Sequence, residues 1–351
     1  MVQKIMAIPF KSPEPRHRYI INKEIAALNQ HFLSREVPQS SADRMLLASW
    51  NVANLGAQKR TNGALRLIAH IMKRFDLIAV QEVNEEFRTF AKIVKLMGDE
   101  FDFIMCDTAG NNERLAYVYR TAKVKPLQMF GELALRDREF PKRNVTVRYR
   151  ENRMDKVETF KNVRFRPFDR NPFIGSFACG AISFTLVNVH LYFGKDQNSS
   201  TLKDRQKYAR RVLEIFALAK WANRRRNRSA TYDADIILLG DMNVPAMNEA
   251  DPTFKALIKF GFQPVDYTTK TGGSNLGNNK TYDQMAFAPG SIKHRIRNRG
   301  VFDFDKAVFS PLWKKLLKNL SPKKSVSKFN SHVKHHISDH RPLWVELDIT
   351  K

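Results

Sequence analysis

The stretch IILLGDMN at 236–243 carries four apolar residues into Gly240, Asp241 and, two positions later, Asn243. On its own such a run reads as an ordinary strand closed by an Asx turn. The pattern recurs, however. SWNVANL at 49–55, VQEV at 80–83, NVHLYFG at 188–194, TYDQMAF at 281–287 and ISDHRPLWVEL at 337–347 each join an apolar run to a carboxylate, carboxamide or imidazole. Carboxylates gathered at neighbouring strand ends repel one another and lose hydration unless a cation or a reacting phosphate compensates them. Six such ends therefore describe one site assembled across buried strands.

The residue types suit phosphoester chemistry. Glu82 and Asn51 offer hard oxygen ligands, which match Mg2+ held by one or two carboxylates with water and substrate phosphate completing its shell. Asp241 and Asn243, two apart, can point the same way: one an acceptor that orients or deprotonates water, the other an amide for a phosphate oxygen. His190 closes the run AISFTLVNVH, where an imidazole can protonate a departing alkoxide. Asp339 and His340 form a second charged pair. Arg170, in FDRNPFIGSF at 168–177, can grip a scissile phosphate with a bidentate guanidinium or stand as a solvated charge in an arginine-rich loop.

Taken in order, Asn51, Glu82, His190, Asp241-x-Asn243, Asp283 and Ser338-Asp339-His340 resemble the endonuclease/exonuclease/phosphatase superfamily, over residues 46–347. NNERLAYVYRTAKV at 111–124, FDRNPFIGSF and FDFDKAVF at 302–309 are similar to phrases of its DNase I branch. The resemblance implies a four-layer α/β sandwich, two packed mixed β-sheets flanked by helices, with the site at one edge. It implies Mg2+, for which Mn2+ can substitute, on Glu82, Asn51 and Asp339. It nominates Asp283 as the partner of His190, with Glu113 assisting, and Arg170, Asn243 and Tyr192 as contacts to phosphate or nucleic acid. The reaction implied is single-step hydrolysis: water attacks phosphorus, the metal and His340 stabilise charge, and His190 releases the leaving oxygen. Whether Asp241 or His340 deprotonates the water stays open at this level.

Substrate class follows from charge and from departures within the motifs. With 60 Lys and Arg against 35 Asp and Glu, the net charge is +25, which draws polyanions at long range. Basic residues concentrate in 203–228 and again in 293–337, just ahead of Ser338-Asp339-His340. Helical spacing of Tyr208, Val212, Ile215, Phe216 and Ala219 makes the first run the wet face of an amphipathic helix. The second, Lys-rich over 314–328 and broken at Ser321-Pro322, reads as a flexible loop. His332, His335 and His336 lack the cysteine or carboxylate company of a zinc site and read as exposed loop histidines. GDMNVP departs from the Gly-Asp-Leu-Asn-Tyr-Arg form of inositol phosphatases, and HLYFG stands where sphingomyelinases carry His-Gln-Ser. A DNA nuclease is favoured, with RNA as the competitor. All the catalytic positions are filled, which argues against a degenerate binding module.

Apolar runs at 46–52, 76–83, 115–119, 173–178, 182–190, 236–240, 283–288 and 343–349 alternate with helical patterns, as in Leu65, Ile68, Ala69 and Met72 or Phe90, Val94 and Met97. Strands around 173–190 follow one another directly, so part of the sheet is expected to be antiparallel. Residues 45–351 read as one catalytic domain, 1–44 as a surface extension with a helical stretch near 22–33, and 136–172 as a charged insert forming an exposed hairpin. MVQKIMAIPFKSPEP has no sustained apolar core for a signal peptide, no stretch is long enough to span a membrane, and Cys106 and Cys179 suit a reduced compartment. A cytoplasmic location and no obligate protein partner are the resulting expectations.

Overall fold

Each of the eight apolar runs forms a strand, and they assemble into two sheets. The structure, a computed structural model, describes residues 13, 16–151, 154–193, 201–268, 272–290 and 292–350. The reading of the first fifteen residues as free of a signal peptide thus falls almost wholly outside the described residues. In chain order the first elements are α1 (Ile21–Ser34), β1 (Arg44–Leu55), α2 (Asn62–Met72), β2 (Leu77–Asn84), α3 (Arg88–Met97), β3 (Phe101–Met105), β4 (Glu113–Arg120) and β5 (Val124–Glu132). There follow β6 (Lys142–Glu151), β7 (Met154–Arg164), β8 (Phe173–Cys179), β9 (Ile182–His190), α4 (Leu202–Arg226), β10 (Ile236–Asp241) and α5 (Pro252–Ile258). The last are β11 (Gln263–Pro264), β12 (Asp283–Phe287), β13 (Ile296–Val301), α6 (Ser310–Asn319), α7 (Pro322–His336) and β14 (Leu343–Asp348).

One six-stranded sheet has the order β13-β14-β1-β2-β4-β3 and the other β11-β12-β10-β9-β8-β5. Each is mixed: β1 and β2 run parallel in the first, β9 and β10 in the second, and the remaining pairs are antiparallel. Between the sheets lies an apolar layer that includes Leu47, Leu77, Tyr117, Phe177, Phe184, Ile237, Met285 and Val345. Outside the first sheet a second layer gathers α1, α2, α3, α6 and α7 around Trp50, Ile68, Phe90, Phe309 and Trp344. Outside the other sheet, α4, α5 and the β6–β7 hairpin close on Val187, Leu218, Leu238 and Val145. These four layers are the expected sandwich.

A buried polar staple joins the sheets beneath the strand ends. Gln81 Nε2 donates to Asn188 Oδ1 at 2.7 Å, and Asn188 Nδ2 donates to the carbonyls of Val80 at 3.2 Å and Ala116 at 3.0 Å. Both side chains are fully buried, so losing either partner would strand polar groups in an apolar layer.

Three expectations change. The 314–336 segment is helical, not a loop: Leu312 and Leu316 in α6, and Phe329 and Val333 in α7, sit four apart and bury themselves against the sheet. Ser321-Pro322 is the start of α7, where a proline at the first helical position is tolerated. Nor are the histidines all surface groups. His332 is 2% exposed, stacks on His336 with ring centroids 4.1 Å apart, and meets Phe309 edge-on at 4.8 Å. Burial drives the His332 imidazole down to about 3 and that of His336 to about 4, so both are neutral. The extension is also more than surface: α1 lays Leu28 and Phe32 into the core, Phe32 stacked on Phe302 at 3.9 Å, while Arg35 ion-pairs with buried Asp303 and His31 hydrogen-bonds to it.

Candidate active site

The carboxyl ends of the two parallel pairs face the same edge of the sandwich. Asn51 in β1 stands opposite Gln81 in β2, and Asp241 in β10 stands opposite both His190 in β9 and Asp283 in β12. Chain direction at this edge is set by unusual backbone. Glu82 has φ 60° and Asn243 φ 54°, left-handed values that ordinary side chains avoid. At Gly240, φ is 135° and an added Cβ would sit 2.0 Å from the Val189 carbonyl oxygen, so only glycine lets β10 lie this close to β9.

Around Asp241 two histidine–carboxylate pairs converge. His190 Nδ1 lies 2.9 Å from Glu113 Oε2, at ion-pair distance though poorly aligned for a hydrogen bond, and His340 Nδ1 lies 2.9 Å from Asp283 Oδ2. Both opposite nitrogens aim at one atom: His190 Nε2 and His340 Nε2 are each 3.7 Å from Asp241 Oδ2. Asn51 Nδ2 bridges Glu82 Oε1 at 2.8 Å and Asp241 Oδ2 at 3.1 Å, and the second Glu82 oxygen accepts from the Asn54 N–H at 2.7 Å. Asn243 is turned by its N–H donating to Asp241 Oδ1 at 3.0 Å, and its amide donates to the Leu191 carbonyl at 3.0 Å. Ser338, which the sequence reading left without a role, donates to the Asn51 carbonyl at 2.7 Å and accepts from the His340 N–H at 3.0 Å. That bond ties the last motif to the first.

Electrostatics separate these groups. Burial would raise the Asp241 carboxyl, but His340 and His190 outweigh it and hold it below its usual range. Burial raises Asp283 despite the pull of His340. For His340 burial favours the neutral ring, yet Asp283 and Asp241 overcome it and lift the imidazole well above its ordinary value. An ionised Asp241 thus faces a cationic His340.

Several nominated residues sit elsewhere than the sequence suggested. Asp283 serves His340, not His190, because β12 sets it against β14's leading loop; Glu113, entering from β4, is the acid beside His190. Arg170 is 3% exposed and turned inward, its Nε donating to the His190 carbonyl at 2.9 Å and its Nη2 to that of Leu191 at 3.2 Å, with Glu113 3.5 Å from Nη1. It braces the His190 loop and Glu113 together, and is neither a surface charge nor open to a phosphate. Asp339 Oδ2 is 2.5 Å from Lys334 Nζ. Tyr192 N–H donates to Glu214 Oε2 at 2.8 Å, while its ring carries the Arg210 guanidinium at 4.0 Å. Glu214, on the buried face of α4, had no sequence signal beyond its place in a helical pattern.

Two mixed six-stranded sheets, helices on both outer faces and a strand-end site between them fix the architecture. The fold is the DNase I-like sandwich. No family model matches the chain. A protein named deoxyribonuclease from Thioalkalivibrio sp. (strain K90mix) is 24% identical over 229 residues, covering 63% of this chain and 52% of its own length, so the chain spans about half of that relative. Among solved structures, an endonuclease/exonuclease/phosphatase family protein of Bacteroides thetaiotaomicron is 16% identical, with a TM-score of 0.46 over 87% of this chain and 94% of its own. The mannosyl-6-phosphatase Bt3783 of Bacteroides thetaiotaomicron VPI-5482 is likewise 16% identical, TM-score 0.46, over 86% of this chain and 99% of its own. At such identities and scores these overlaps record likeness alone. Among the described residues no helix is long and apolar enough to cross a membrane.

Proposed function

We propose that this chain is a Mg2+-dependent phosphodiesterase acting on nucleic acid, and specifically a DNA endonuclease. The observation that carries the reading is the convergence of two carboxylate-backed imidazoles on one oxygen of Asp241. Hydrolysis of a phosphodiester needs a base for water, a cation for the developing charge and an acid for the leaving oxygen; this cluster offers all three. The net charge of +25 and the likeness to a deoxyribonuclease support nucleic acid, and DNA within it.

Oxygen donors at this edge fit a hard cation. Asn51 Oδ1 is buried without a hydrogen-bond partner among the described residues, and the neighbouring Glu82 carboxylate is held on both oxygens by amide donors, which leaves acceptor capacity facing the cluster. Glu82 and Asn51 would hold the ion, with Asp339 joining if it exchanges Lys334 for the metal. When bound, Mg2+ supplies Lewis-acid polarisation of the phosphoryl group. Asp241, kept ionised, takes the proton of the attacking water in this reading, in preference to the cationic His340. The His340 cation, maintained by Asp283, faces the oxygens on which charge builds up. His190, steadied by Glu113, delivers its Nε2 proton to the leaving oxygen, and Asn243 orients the phosphate.

Incubation with supercoiled plasmid and Mg2+, beside a chelator and the His190→Ala variant, tests this. Nicking that requires both metal and His190 supports the reading; an intact plasmid refutes DNA endonuclease action and directs attention to RNA and small phosphoesters.

A further inference from the structure

Beside the catalytic edge, on the Tyr192 side, lies a groove of about 440 Å³ between the β6–β7 hairpin and α4. Its cationic lining comprises Lys161, Arg164, Arg166, Lys203, Lys207 and Arg210, and no carboxylate of the described residues lines it. Arg210 is committed: it pairs with Asp169 at 3.3 Å and Glu214 at 3.3 Å and stacks on Tyr192. The other five form no ion pair with a carboxylate among the described residues, although Arg205, between Lys203 and Lys207 in the chain, ties α4 to Glu158 of the hairpin at 2.5 Å. Like charges held together in a concave wall raise the potential there and cost energy without an anion to meet them. Two rings, Tyr192 and Phe160, stand among the cations.

The groove approaches the site at Tyr192. Tyr192 lies two residues beyond His190, at most about 7 Å along the chain. The β6–β7 hairpin, which contributes nothing to the catalytic cluster, is held against α4 by Val145 and Val147 and by Arg143 over Phe216 at 4.4 Å. It therefore presents a fixed wall rather than a loose arm.

Resting on the nuclease reading above, we propose that this groove is the track of one DNA strand leaving the scissile phosphate: Lys161, Arg164, Arg166, Lys203 and Lys207 meet successive backbone phosphates, and Tyr192 and Phe160 give platforms for unstacked bases. Cations that follow a backbone, interleaved with aromatic rings, are the physical requirements for binding single strands without reading sequence.

Binding of a fluorescein-labelled 20-nucleotide DNA to the full chain, in EDTA to prevent cutting, is measured against salt for three proteins. These are wild type, the Lys161→Ala/Arg164→Ala/Lys203→Ala/Lys207→Ala variant, and a control with the same loss of charge, Lys314→Ala/Lys318→Ala/Lys323→Ala/Lys328→Ala on α6 and α7. Each released single-strand contact contributes about −0.7 to the log–log slope, so the groove variant is expected to flatten the slope by about 3 while the control changes it by less than 1. With Mg2+, the groove variant should raise KM for the 20-mer about tenfold or more and retain hydrolysis of bis(p-nitrophenyl) phosphate, which shows that the site is intact. Equal slopes for the groove variant and wild type overturn the track, as does a larger loss in the control. Tighter groove-dependent binding of an RNA of the same sequence overturns its assignment to DNA. The catalytic reading fails separately, if wild type leaves DNA uncut whatever the groove binds.

Discussion

Two imidazoles stand at the same 3.7 Å from Asp241, yet their backing differs. Asp283, fully buried, lies 2.9 Å from His340. Glu113 is half-buried and shares its charge between His190 at 2.9 Å and the Arg170 guanidinium at 3.5 Å. Equal geometry therefore does not mean equal chemistry. A carboxylate that serves one imidazole holds it cationic, which suits lasting charge stabilisation. One that is divided with an arginine ties its ring to a second, fixed group and so sets the ring's direction.

The largest expected effects test that division of labour. His190→Ala and His340→Ala should each lower kcat on DNA by about 10²–10⁴-fold, the usual range for losing a positioned acid or a charge stabiliser. They part on a substrate whose leaving group needs no proton: with a p-nitrophenyl diester the His190 variant should recover at least about tenfold relative to wild type, and the His340 variant should not. Matching deficits on both substrates would make the two histidines equivalent.

A smaller effect should appear in pH profiles. His340 has its pKa raised, so its cation is present below that value and is lost as pH rises through it. Asp283→Asn removes the main charge that raises it; the alkaline limb of kcat should move to lower pH, with kcat falling about 10–100-fold, as is common for partners that orient a reacting group. Glu113→Gln should lower kcat without moving that limb. A limb unmoved by Asp283→Asn would assign it to another group.

Arg170 comes next. Because it holds two carbonyls and Glu113 with a forked guanidinium, Arg170→Lys should lower kcat about three- to tenfold with little change in KM, a positioning effect that steady-state kinetics separates from loss of binding. A selective rise in KM would restore the direct phosphate contact first expected of it.

How far this was legible can be traced to particular residues. The eight apolar runs became β1, β2, β4, β8, β9, β10, β12 and β14 because those strands are largely buried on both faces, which the sequence records as mostly apolar runs rather than strict alternation. The missed β3, β5 and β13 lie toward sheet edges: in IRNRGV, Arg297 reaches Asp348 at 2.6 Å, so charge masks the strand. The lysines of α6 and α7 hid helices whose buried apolar residues, Leu312 and Leu316 in one and Phe329 and Val333 in the other, are outnumbered by charges. Motif order brought the catalytic side chains to one edge but could not pair them. Which acid backs which histidine depends on strand order across two sheets, and Asp283 was given the wrong partner for that reason. Arg170 was misread because an arginine among charged neighbours carries no mark of being buried.

The least catalytic of the predicted effects concerns a carboxylate behind the His190 arm. Glu214 is 1% exposed; burial pushes its carboxyl up to about 7 although Tyr192 N–H and Arg210 favour its charged form. In the unfolded chain it returns to about 4.5, so between these values the folded protein holds a proton that the unfolded one has released. Stability from this group is therefore present at low pH and declines as pH rises from 4.5 toward about 7. Glu214→Gln keeps the shape and the Tyr192 contact but cannot ionise. From about pH 5 to about pH 8 the Tm of the variant should change more favourably than that of wild type, with kcat on DNA within about twofold, since the side chain is not part of the catalytic cluster. Asp283, also raised, adds a decline of the same sign as Glu214, whereas the depressed His332 and His336 add a rise below about pH 6.5; both contributions are common to the two proteins and leave the difference to Glu214. Identical changes in Tm would mean that the Arg210 pairing keeps Glu214 ionised in the fold, and the contrast between the two arms of the site would then rest on Asp283 and Glu113 alone.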